Sequence, residues 1–104
     1  MDTQLKKGLL DICVLKCLVK EDSYGYKLIS DLSKYVEISE STLYPILKRL
    51  EEAACLETYK EEHSGRLRKY YRITLGGKNK LREFRDEAKK ILSVYEFILK
   101  GDDA

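Results

Sequence analysis

Residues 38 to 57 read ISESTLYPILKRLEEAACLE, and the spacing of the leucines in this stretch decides the fold. Leu43, Ile46, Leu47 and Leu50 fall at i, i+3, i+4 and i+7, the period of a helix with one apolar face. Ser39 is placed to cap that helix, and Glu40 sits in the first turn, where the helix dipole favours an acidic side chain. At about 100° per residue, Ser41, Pro45, Lys48, Arg49 and Glu52 land on the opposite face, with Thr42 and Tyr44 at its flanks. Such a face points at solvent or at a ligand. Pro45 removes one backbone hydrogen bond, from its own missing amide to the Ser41 carbonyl, a loss tolerated better near a helix start than in its middle. It leaves a compact, rigid surface from Ser41 to Arg49.

Working outward, SYGYKLISDLSKY reads as a shorter helix with Ser23 as its N-cap and Leu28, Ile29 and Leu32 as its buried set. Gly25 weakens this helix slightly and suggests that a neighbour packs closely there. Ahead of it, residues 3 to 19 are apolar around most of a helical wheel, which implies a helix buried on more than one side. On the C-terminal side, CLETYKEE and LRKYYRIT are rich in β-formers and flank HSGR, so residues 55 to 74 read as a hairpin. Alternation in its second strand turns Tyr71 and Ile73 inward and a basic-aromatic row of Arg68, Tyr70 and Arg72 outward. Thr74 then caps a last helix in which Gly77, Leu81, Phe84, Ala88, Ile91, Tyr95 and Ile98 step by four and three. That average spacing of 3.5 is the repeat of a helix that packs along a partner helix. A helix of this length overhangs so small a domain, so the expected partner is a second copy.

The 104 residues suffice for one core, and 43% are hydrophobic. Charged residues make up 37%, against roughly 25% in an average domain. Twenty Lys and Arg against eighteen Asp and Glu leave a net charge of only +2, so distribution rather than total charge must identify a polyanionic partner. HSGRLRKYYR, residues 63 to 72, supplies that asymmetry: four cations, two tyrosines and no carboxylate. The opening MDTQLKKGLLDICVLKCLV is interrupted by Asp11 and Lys16 and reads as neither a signal peptide nor a membrane span, which suggests a cytoplasmic chain without a membrane partner. Three cysteines and one histidine argue against a disulfide framework and a zinc site. Cys13 and Cys17 read as buried thiols. With no glycine-rich phosphate loop, nucleophile motif or recognisable carboxylate pair, nothing points to an enzyme, a cofactor or a metal.

Three helices, a hairpin and a fourth helix fit a mainly α winged helix-turn-helix. Its third helix then faces the major groove of double-stranded DNA with Ser41, Thr42, Tyr44 and Pro45, followed by Lys48 and Arg49. Arg66 at the wing tip would reach a minor groove, and Arg68, Lys69 and Arg72 would meet phosphates. The runner-up is a winged helix used for protein interaction or RNA binding, since fold does not fix function.

DSYGYKLISDLSKYVEISESTLYPILKRLEEAACLETYKEE followed by RKYYRITLGGK resembles the PadR family of bacterial winged-helix transcriptional regulators, over about residues 5 to 80. With one C-terminal helix the chain is similar to the shorter subgroup. The resemblance implies a homodimeric repressor of an inverted-repeat operator. It gives Tyr24 and Tyr26 to the start of the second helix, Ser41 to Arg49 to the reading helix, and Arg68, Lys69 and Tyr70 to the wing. Residues 1–74 would form the DNA-binding domain and residues 75–104 a dimerisation helix and tail. The dimer contacts expected are Leu5 and Leu9 of the first helix with Leu81, Phe84, Ala88, Ile91, Tyr95 and Ile98 of the last. Some members bind hydrophobic effectors between subunits, often against a tryptophan, which this chain lacks. An apolar small-molecule effector would lie at the dimer interface, near the first-helix face of Leu10, Val14 and Cys17. Leu75-Gly76-Gly77 departs from the family pattern and weakens the start of the last helix.

Overall fold

The computed structural model describes residues 3–101, with side chains from Gly8 onward. Along the chain run α1 (Thr3–Lys20), α2 (Gly25–Leu32), α3 (Glu40–Glu52), β1 (Leu56–His63), β2 (Arg66–Ile73) and α4 (Leu75–Leu99). β1 and β2 form a two-stranded antiparallel sheet, giving the mainly helical winged architecture that the periodicities imply. The side chain of Leu5 and the last three residues lie outside the described residues.

The core sits where α1 crosses the other helices. Val14 and Leu15 are fully buried and Leu18 nearly so, against Leu28 and Leu32 of α2 and the whole apolar stripe of α3, no member of which is more than 2% exposed. α1 touches α2, α3, α4 and β2, which is why its sequence is apolar on several sides. Asp11 is nevertheless buried within it. Its carboxylate accepts two hydrogen bonds from Arg49 near the end of α3, at 2.7 Å from Nη2 and 3.3 Å from Nε. A charge taken out of water requires such a bidentate partner.

The start of α2 differs from the sequence expectation. Tyr24, not Ser23, occupies the N-cap, and no side chain caps the helix. Ser23 is drawn into the sheet instead, its amide donating to the Tyr71 carbonyl at 3.2 Å and its carbonyl accepting from the Tyr71 amide at 2.7 Å. Two backbone bonds to a buried strand outweigh one capping bond, and they weld the α1–α2 connection to the wing. Close packing at Gly25 does occur: a Cβ there would overlap the Tyr44 hydroxyl.

α3 ends in a Schellman turn, with the Cys55 amide bonded to the Leu50 carbonyl and the Ala54 amide to that of Glu51. The turn places Ala54 at φ 60°. α4 starts on this corner. Thr74 caps it by accepting from the Gly77 amide at 3.1 Å and donates its own hydroxyl to the Ala54 carbonyl at 2.6 Å. A Cβ on Gly77 would overlap the Cys55 carbonyl, so this glycine serves packing even though it lowers helix propensity.

The hairpin is in continuous register from Leu56↔Ile73 to His63↔Arg66, closed by Ser64 and Gly65 at φ 53° and 80°, the signature of a type I′ turn. Beyond the head, α4 projects. The molecule measures 64 × 26 × 23 Å, and from Lys89 to Leu99 every α4 side chain is exposed.

Candidate nucleic-acid interface

α3 remains one continuous helix through Pro45, whose ring is exposed. Ser39 holds the N-cap position as expected, but its hydroxyl caps no amide. It lies 3.0 Å from the Ser41 hydroxyl and 3.3 Å from that of Thr42. Three hydroxyls therefore gather at the tip of the helix, each able to donate or accept. Tyr44 is 47% exposed and rests against Gly25, while Tyr26 on α2 stands 76% exposed beside it. Lys48 is exposed. Arg49 is exposed as well, but its guanidinium is engaged by Asp11, and that bond raises its pKa further. The outward surface of α3 thus presents Ser41, Thr42, Tyr44, Pro45 and Lys48, and Arg49 braces α3 against α1.

The basic-aromatic row of β2 is built into a stack. The Arg68 guanidinium lies 4.0 Å above the Tyr24 ring, Tyr24 meets Tyr70 edge-on at 5.5 Å, and Tyr70 stacks on Tyr59 at 5.4 Å. Arg72 covers the other end, 4.7 Å from the Tyr59 ring. Asp22 accepts from the Tyr59 hydroxyl at 2.7 Å and from Arg72 Nε at 3.2 Å, and Arg72 also reaches Glu57. The Asp22 carboxylate, by accepting this hydrogen bond, holds the Tyr59 phenol above its ordinary pKa. Tyr24, Arg68 and Tyr70 consequently act as one half-buried unit along one face of the wing. Among the described residues Arg66 and Lys69 make no ion pair, and both are exposed. A cleft of about 290 Å³ separates wing from helix, lined by Tyr26, Tyr44, Leu67 and Lys69 among others.

The seven-residue seam of α4 divides in two. Leu81 is buried in the head's own core and Phe84 packs against it, so the first part of the seam covers this chain. Ile91, Tyr95 and Ile98 are 54%, 57% and 63% exposed. An apolar groove of about 380 Å³ lies between α1 and α4, lined by Leu9, Phe84, Ala88, Ile91, Leu92 and Tyr95. The expected α1 lining is corrected here. Leu10 and Val14 point into the core, and the groove is formed by Leu9 instead.

Sequence reasoning missed Asp11, Asp22 and Tyr59 as structural partners of interface residues. Asp11 lies 38 positions from Arg49 and Asp22 lies 50 from Arg72, while Tyr59 meets Tyr70 and Arg72 across the hairpin, and no local pattern marks such pairs. The thiols are free, with Cys55 buried and Cys13 and Cys17 half-buried; burial raises the pKa of the latter two. Among the described residues no group of three potential ligands could hold a metal, and no helix is long and apolar enough to cross a membrane.

Comparison with known proteins adds a family, a relative and two solved structures. The model of the PadR-like transcriptional regulator family matches residues 14–83. An uncharacterized protein of Lysinibacillus sphaericus is 34% identical over 100 residues, covering 91% of this chain and 92% of its own. Among solved structures, a PadR-like transcriptional regulator from Bacillus cereus superposes with a TM-score of 0.85 at 33% identity, covering 96% of this chain and all of that one. Bacillus subtilis PadR in complex with operator DNA shares the fold at a TM-score of 0.68 and 23% identity, over 73% of this chain and 46% of its own.

Proposed function

This chain belongs to the PadR-like family of transcriptional regulators, and on that footing we propose that it is a homodimeric repressor that binds an inverted-repeat operator. It is a regulator rather than an enzyme. The observation that carries the reading is the pairing of two free surfaces on one side of the head. One is the hydroxyl-rich start of α3 with Tyr44, Pro45 and Lys48, and the other is a wing on which Arg66 and Lys69 make no ion pair among the described residues. Short hydroxyls and an amphipathic ring suit base edges and phosphate oxygens, and exposed lysine or arginine suits phosphates. Bacillus subtilis PadR carries operator DNA on the same fold.

In this reading residues 1–74 form the DNA-binding domain and residues 75–104 hold the dimer together. Ser41, Thr42, Tyr44, Pro45 and Lys48 enter the major groove, Tyr24 and Tyr26 flank the backbone at the start of α2, and Arg66 and Lys69 extend the contact through the wing. Arg49, Arg68 and Tyr70 support this surface through their existing partners. Leu9, Ala88, Ile91, Tyr95 and Ile98 meet the second copy, and an apolar effector would occupy the groove beside Leu9. Regulation of this kind takes place in the cytoplasm.

Selection of bound duplexes from a random library, followed by footprinting, tests the proposal. It should return an inverted repeat whose half-sites lie about one helical turn apart, roughly 10 base pairs. A single asymmetric half-site bound with full affinity contradicts the dimeric reading. Binding nearly independent of salt contradicts a DNA contact and favours a protein partner.

A further inference from the structure

The two faces of the wing are unequal. On one face, Arg68 and Arg72 are engaged by Tyr24, Tyr59 and Asp22. The other face runs from the core toward the tip as Leu56↔Ile73, Thr58↔Tyr71, Lys60↔Lys69 and Glu62↔Leu67. Lys60 and Lys69 stand directly opposite each other, both exposed, and neither makes an ion pair among the described residues. Like charges directly across an antiparallel pair repel and destabilise the sheet. An anion between them removes that repulsion.

This face is turned toward α3. Thr58, one step from Lys60 on the same face, donates its hydroxyl to Glu51 at 3.1 Å. Lys69 and Tyr71 line the same cleft as Tyr44. Tyr44, Lys48 and Glu51 lie at i, i+4 and i+7 along α3 and so form one stripe. The two ends of that stripe meet the base of the wing, and the exposed Lys48 stands between them. Lys69 lines that cleft with its ammonium 5.5 Å from the Tyr71 ring, Lys60 stands opposite it on β1, and Lys48 lies on the stripe of α3 that faces the wing.

We propose that Lys60, with Lys69 and Lys48, forms a binding site for backbone phosphodiesters of duplex DNA in the groove between α3 and the wing. The assignment deepens the DNA-binding reading above and rests on it. Lys60 is inconspicuous in the sequence because its neighbours Glu57, Glu61 and Glu62 make the strand look neutralised. Strand alternation separates it from Glu57 and Glu61, which face the other way beside Arg72 and Arg68.

The test is equilibrium binding of a fluorescent random-sequence duplex across a salt series. Wild type is compared with Lys60→Ala, Lys60→Arg and, as a control on α4, Lys90→Ala. Losing one phosphate contact per subunit lowers the log-log salt slope of a dimer by about 1.8, so between about 50 and 200 mM salt wild type should lose about twelvefold more affinity than Lys60→Ala. Lys60→Arg and Lys90→Ala should follow wild type. Urea unfolding of free Lys60→Ala should show a midpoint equal to or above that of wild type, because a repulsion has been relieved. A steep wild-type slope that Lys60→Ala leaves unchanged overturns the site, as does a lowered urea midpoint, which would make Lys60 a structural lysine. Wild type with no salt-dependent binding overturns the DNA reading as well, and so the two failures are distinguishable.

Discussion

In the head, Leu43, Ile46, Leu47 and Leu50 of α3 are at most 2% exposed, whereas the apolar side chains of α4 beyond Ala88 stand 54–79% exposed. Seven of the nine residues from 91 to 99 are apolar, so the difference does not come from composition. It comes from what is available to cover them. In the head each apolar face meets another element of the same chain, and the buried carboxylate of Asp11 meets a guanidinium. On the far half of α4, Leu9 of α1 borders the start of the apolar face at Ile91, Leu92 and Tyr95, yet every apolar side chain from Ile91 to Leu99 stays more than half exposed. Burying a large apolar side chain contributes roughly 1.5–3 kcal/mol, so a second copy that covers several of them gains a large stabilisation. One region folds by completing itself, and the other would be covered only in the proposed dimer.

The largest effect expected from breaking this contrast is on assembly. Replacing Ile91 and Ile98 together by Asp should yield monomers that no longer hold operator DNA, while thermal unfolding followed by the tyrosines of the head changes little. A double variant that sediments as a dimer would show that these residues face solvent in the assembly as well.

Next in size is Gly77→Ala, which acts only on the head. The added methyl meets the Cys55 backbone carbonyl and cannot be relieved by a rotamer change, so stability should fall by about 3 kcal/mol in denaturant titration. Arg49→Ala should follow at about 2 kcal/mol. It leaves the Asp11 carboxylate buried and unpaired, and the half-exposed guanidinium side of the pair holds the loss below that of a fully buried bridge. Asp11→Asn, which removes the charge and keeps the shape, should lose less.

The contrast also explains which features were legible in the sequence. The α3 stripe, the hairpin and the Thr74 cap are local periodicities or short motifs, and each stands in the structure where its pattern put it. Contacts across the chain left no such trace. Ser23 looked like a helix cap because the pattern around it is local, and its bonds to Tyr71 are not. Leu81 looked like part of a continuous seam because a heptad cannot say where a chain's own core stops. Gly77 looked like a weak helix start because propensity does not register the Cys55 carbonyl beside it. The outward face of α3 was legible as a surface, but the loss of Arg49 to Asp11 was not.

Smaller effects sharpen the account of the head. Ala54 holds a left-handed conformation at φ 60° in the turn after α3, so Ala54→Gly should raise stability by about 1 kcal/mol. The Tyr59 phenol is raised above 10.0 by its hydrogen bond to Asp22, which favours the neutral form in the fold. That contribution is full below pH 10 and is lost as pH rises through the folded pKa. Tyr59→Phe should therefore show a shallower loss of stability above pH 10 than wild type.

The central claim is that the head is complete alone and the far half of α4 is not. Sedimentation equilibrium of the wild-type chain over a dilution series tests it most directly. The account predicts twice the chain mass at micromolar concentration, falling to a single chain only on strong dilution; a single-chain mass throughout would contradict it.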